Sequence, residues 1–107
     1  MSPAPAWPLP YITPDASIGT SFGSTSSAIA LPGTPANDTQ VRICNLGPCA
    51  VALALGTTSA VTVTPSTGIV IMPGDSLSLG IGSNTYIAGV SCGGPSTSTV
   101  VNLTTGN

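Results

Sequence analysis

The chain has 107 residues, with one basic side chain, three acidic ones and a formal net charge of −2. That length suits one domain, and a charged share of 4% compares with about 25% in an ordinary soluble domain. Lysine, glutamate and histidine are absent, which excludes a His-based triad, a His metal site and a catalytic pair of glutamates. Arg42 alone cannot supply a nucleic-acid or phosphate-binding surface.

The apolar share of 41%, set against a small net charge, is the opposite of the balance that keeps a chain disordered. Composition therefore points to a structural or binding protein rather than an enzyme. No cofactor, metal, nucleic acid or small-molecule substrate is expected. The longest apolar run, Cys49 to Leu55, falls far short of the roughly 20 residues that span a bilayer, so no membrane partner is expected either. The N-terminus has no basic start followed by an apolar stretch, so a secretory signal is not expected.

In chain order, residues 1–27 read as an extended arm. Pro3, Pro5, Pro8, Pro10 and Pro14 fall in its first half, and proline fixes φ and donates no backbone hydrogen bond. Ser17 to Ser27 continues with small residues and no periodicity. Trp7 and Tyr11 are the arm's large apolar groups. They either fold back on their own domain or anchor the arm to a partner, and the second is the expectation because aromatics are favoured interface anchors.

Residues 28–107 read as a β-domain. Short apolar stretches at Ala28–Leu31, Thr39–Leu46, Ala50–Leu55, Ala60–Thr64, Gly68–Met72, Ser76–Ile81, Thr85–Ser91 and Thr99–Thr104 are separated by Gly, Pro and Asn. Several alternate with period two, as half-buried strands do. Pro73-Gly74 fits the centre of a type II turn. No helical stripe of useful length is present. The expected fold is all-β: a small β-sandwich or jelly roll of about eight short antiparallel strands, preceded by the Pro-rich arm.

Cys44-Asn45-Leu46-Gly47-Pro48-Cys49 reads as a hairpin loop. Placing Val41, Ile43, Val51 and Leu53 on one face pairs Ile43 with Val51 and offsets the two cysteines by one residue. Reduced thiols at Cys44, Cys49 and Cys92 are the expectation. A disulfide rescued by a bulge and a three-thiolate zinc site are the alternatives. Asp15, Asp38 and Asp75 lie near turns, where aspartate bonds its own backbone. Arg42 either pairs with Asp38 or Asp75 or reaches a carboxylate or carbonyl on a partner. A sandwich has open edge strands, usually guarded by charge. With so little charge, the surface is expected to be covered in a permanent assembly.

Val41-Arg42-Ile43-Cys44-Asn45-Leu46-Gly47 followed by Val51-Ala52-Leu53-Ala54-Leu55-Gly56 resembles the small virion proteins of bacteriophages. Met72-Pro73-Gly74, Tyr86-Ile87-Ala88-Gly89-Val90 and Val101-Asn102-Leu103-Thr104-Thr105-Gly106 extend the likeness over residues 41 to 106. The resemblance is to capsid cement or decoration proteins. It implies a jelly-roll or immunoglobulin-like domain that binds the major capsid protein as a homotrimer on the capsid surface, assembled in the host cytoplasm. It carries over no catalytic residue. Trp7, Tyr11 and Arg42 are the candidate partner-binding residues. A tail or fibre β-module, and a secreted carbohydrate-binding or adhesin domain using Tyr86, Trp7 or Tyr11, are the competing readings.

Overall fold

The computed structural model describes residues 14–33, 38–93 and 98–107. Within them are eight strands and no helix: β1 (Pro14–Phe22), β2 (Ser27–Ala30), β3 (Gln40–Gly47), β4 (Val51–Gly56), β5 (Ile69–Ile71), β6 (Ser76–Gly80), β7 (Tyr86–Ser91) and β8 (Thr99–Gly106). All six ladders are antiparallel. They build two four-stranded sheets, ordered β1-β8-β3-β6 and β2-β7-β4-β5.

That order has a simple origin. β1 pairs β8, β2 pairs β7, β3 pairs β6 and β4 pairs β5, the nesting of one long hairpin whose tip lies between β4 and β5. Rolling the hairpin brings β3 against β8 and β4 against β7 and closes two sheets face to face. This is a jelly roll.

The alternation that marks the strands in sequence is the inside–outside pattern of the roll. In β3, Val41, Ile43 and Asn45 are buried while Gln40, Arg42 and Cys44 are half-buried. In β8, Thr99, Val101, Leu103 and Thr105 are buried between Val100, Asn102 and Thr104. The inner faces meet in one core that includes Phe22, Val41, Ile43, Leu53, Ile87 and Leu103.

β4 breaks the alternation, with Val51, Ala52 and Leu53 all buried. The cause is the connection from β4 to β5. Val61 and Val63 lie over Ala52, Ala88 and Val90 on the outer face of the second sheet, forming a satellite cluster. The Val63 N–H donates to Ser26 Oγ at 3.0 Å and fastens the flap. Val63→Ala should cost about 2 kcal/mol, as expected for a buried branched side chain cut to a methyl. Urea denaturation should register that loss, and limited proteolysis should find earlier cleavage within residues 57–68.

Three expectations are corrected. Residues 14–22, read as arm, form β1, because its backbone pairs with β8 and its last residue, Phe22, is fully buried. Ala60–Thr64 is not a strand: its valines alternate because one side packs on the sheet, but no strand pairs with it. Cys44 to Cys49 is not a hairpin, since β3 and β4 belong to different sheets. Val41, Ile43, Val51 and Leu53 do share the core, but they meet across the sandwich instead of side by side. The three cysteines are half-buried, with no disulfide between them. The turn at Pro73-Gly74 is as expected: Gly74 has φ of 86°, and the Asp75 N–H closes on Met72 O at 3.0 Å.

Candidate functional site

Two surfaces of the roll stand out, and both depend on strand order. The first is the outer face of the β1-β8-β3-β6 sheet. Registered pairs place Ser17 beside Thr104, Gly19 beside Asn102, Thr104 beside Arg42, Asn102 beside Cys44, and Arg42 beside Ser78. Ser17 Oγ lies 2.8 Å from Thr104 Oγ1, and the Thr104 hydroxyl donates to Asn102 Oδ1 at 3.1 Å. Arg42 Nη2 donates to Ser76 Oγ at 3.5 Å. The face is largely polar, with exposed Val100 toward one end, and Arg42 is its cation. Hydroxyl and amide groups are less costly to desolvate than charged ones, so such a face can be covered by protein at modest cost.

The second surface is the margin where β5 and β6, the last strands of their sheets, lie joined by the turn at residues 72–75. Large apolar side chains are exposed along it: Ile69, Val70, Met72 and Leu77, the last at 37%. Leu46, exposed at 66%, extends the margin, because its neighbour Asn45 accepts from Gly74 N at 2.7 Å. Leu77 pairs with buried Ile43, and Ile69 with buried Leu53. Both therefore face inward, and their exposure means the core is open at this side. Asp75 is the one charged residue between positions 69 and 80, so the edge has almost no charge to deter pairing.

The end of the roll beside this margin is held by Asn45, which is 1% exposed. Its amide nitrogen donates to Cys49 O and Ile71 O, each at 2.8 Å. Its Oδ1 accepts from Gly47 N at 2.8 Å and from the Thr99 hydroxyl at 2.9 Å. One side chain thus ties the ends of β3, β5 and β8 to the loop that crosses between sheets.

Of the residues singled out in the sequence, Arg42 lies on the polar outer face, while Trp7 and Tyr11 lie outside the described residues. Asp38 is buried, and its carboxylate and that of Asp15 both approach Gly33 beside Thr105 Oγ1. Among the described residues no group of three or more Cys, Asp, Glu or His side chains converges to hold a metal. No helix among them is long and apolar enough to cross a membrane. The sequence reading missed the β5–β6 margin. Its signal was present in the uncharged run from Ile69 to Leu77, but edge position is a property of strand order.

No family model and no curated protein matches the chain. Among solved structures it resembles a chain from the disulfide-linked pili formed by Bacillus endospore appendages. The match covers 97% of this chain and 96% of that one, at 13% identity with a TM-score of 0.53. At that identity the likeness is one of fold.

Proposed function

We propose that this chain is a non-catalytic structural subunit of a bacteriophage virion, a cement or decoration protein. It binds the major capsid protein as a homotrimer on the capsid surface and is assembled in the host cytoplasm. The observation that carries this reading is the open apolar β5–β6 margin on a roll almost without charge. Such a surface is a poor one for a free monomer and a good one for a lasting interface. A cement protein adds buried area between shell subunits, and several copies engaging one site gain avidity without new chemistry. The jelly-roll order supports this reading, because the fold is common among capsid proteins.

The test is sedimentation of intact particles. The chain should co-sediment at a fixed ratio to the shell protein, and the free protein should have the mass of a trimer. Deleting residues 1–13 should lower its occupancy on particles several-fold. The melting curve should stay that of a folded roll, because Pro14 and the rest of β1 keep their pairing with β8. Full occupancy after the deletion would remove the arm from the binding surface.

A second reading, a fibre or appendage subunit, is favoured by the likeness to a pilus chain. The half-buried thiols Cys44, Cys49 and Cys92 give that reading its own test. Non-reducing electrophoresis of native material should give a ladder of multimers that collapses with a thiol reductant. A single band at the monomer mass argues for the capsid reading.

A further inference from the structure

We propose that residues 7–11 of one copy add as a fifth strand to the open side of β6 in another copy. The inference rests on the structural-subunit reading and names its partner, a second copy of this chain.

The receiving edge follows from the ladder between β3 and β6. Asn45 N donates to Asp75 O at one end, and Ile81 N donates to Thr39 O at the other. Lateral direction alternates along a strand, so Leu77 and Leu79 also turn their N–H and C=O groups toward β3. Ser76, Ser78 and Gly80 turn theirs to the open side. Leu77 and Leu79 face the core, and Leu77 is incompletely covered. The edge therefore offers backbone partners and an apolar seam together.

The incoming segment has the matching pattern. In Trp7-Pro8-Leu9-Pro10-Tyr11, large apolar residues alternate with prolines. In an extended strand, Trp7, Leu9 and Tyr11 share one face and turn their N–H groups to one side. Pro8 and Pro10 fall on the other side, where an edge strand needs no donor. This spacing suits a strand that pairs along one edge only. Parallel addition places residues whose N–H groups meet β6 on the same face as Leu77 and Leu79. Trp7, Leu9 and Tyr11 then cover the seam. Antiparallel addition would put them on the hydroxyl face instead, so the parallel mode is the one that buries apolar surface.

Chain length makes the partner a second molecule. Tyr11 is three residues from Pro14, the start of β1, and three residues reach at most about 11 Å. β1 and β6 are the two ends of one sheet, three strand spacings apart, and the added strand lies one spacing further, about 19 Å in all. The segment cannot reach its own β6. The resulting contact is head-to-tail: it closes into a ring such as a trimer if the rotation allows, and continues as a filament if it does not.

The test uses the full chain and its concentration-dependent mass by analytical ultracentrifugation. Leu9→Pro removes a donor that must face β6 and should weaken self-association by about tenfold or more. Ser78→Pro should act alike from the receiving side, because the Ser78 N–H makes no bond to β3. Pro8→Ala, on the free side, should leave association unchanged. A wild-type chain that stays monomeric at every accessible concentration overturns the proposal. So does Leu9→Pro associating like wild type, or Pro8→Ala losing association as Leu9→Pro does. A chain that self-associates with this pattern but never co-sediments with particles sinks the virion reading and leaves strand addition standing.

Discussion

Asn45→Leu is expected to lower the stability of the roll by about 4 kcal/mol, with a urea midpoint well below wild type and an unchanged m-value. The reason is that the residue's partners, more than the residue itself, become unsatisfied. Once released from Asn45 Oδ1, the Thr99 hydroxyl can turn its one proton to Cys49 O, 2.8 Å away, but Ile71 O and Gly47 N lose their side-chain partner inside the protein. A buried polar group left unpaired costs about 1–3 kcal/mol, and the link between the two sheets at this end goes with it. Against a total stability of roughly 5–15 kcal/mol, that loss removes a large share of the margin.

Asn45→Asp separates polarity from bonding. A carboxylate retains an acceptor for Gly47 N and Thr99, but it faces Cys49 O and Ile71 O with no donor. Burial and those carbonyl oxygens should raise its pKa above the unfolded value, so the folded state should hold the proton longer. The variant should then be nearest to wild type below about pH 4, the unfolded carboxylate range, and lose stability as pH rises through the folded pKa. A variant equally stable at low and neutral pH would mean that the side chain had left the network.

Most of the roll is legible in the sequence because most of its strands have one wet face. Val41, Ile43, Leu77, Leu79, Val101 and Leu103 show period two since the same inner face collects them. The exceptions have physical causes. β1 is an edge strand whose residues are largely exposed. Its pairing is made by backbone groups, which leave no side-chain signature, and only Phe22 is fully buried. Val61 and Val63 alternate without belonging to a ladder, since periodicity reports a covered face and not a hydrogen-bonded neighbour. The crossing at residues 47–50 looks like a hairpin in sequence because a short link between two apolar runs is equally short within a sheet or between sheets. Only the structure shows Asn45 buried there and satisfied from four directions, holding separate strands together. The open margin was half legible: the lack of charge is written in the sequence, but which strands stand at the edge follows from the rolled topology.

Phe22→Ala should be the most damaging change within β1, costing about 4 kcal/mol, the usual range for emptying a buried aromatic site. Phe22 is fully buried and lies on one sheet, while the ring meets Gly89 in β7 of the other. A Cβ on Gly89 would stand 2.6 Å from ring atoms, so the missing side chain of Gly89 makes room for the ring. Gly89→Ala alone should therefore destabilise by about 1–3 kcal/mol through overpacking. In the Phe22→Ala background the same methyl enters an emptied space and should be neutral or favourable. A double-mutant cycle by urea denaturation should give a coupling of about 1 kcal/mol or more in that direction; additive effects would mean that ring and glycine do not share the space. The same contact fixes where truncation becomes harmful. Removing residues 1–13 spares the ring and the β1–β8 ladder. Removing residues 1–27 takes both away and opens the core beside Leu53 and Leu103, so that chain should fail to fold.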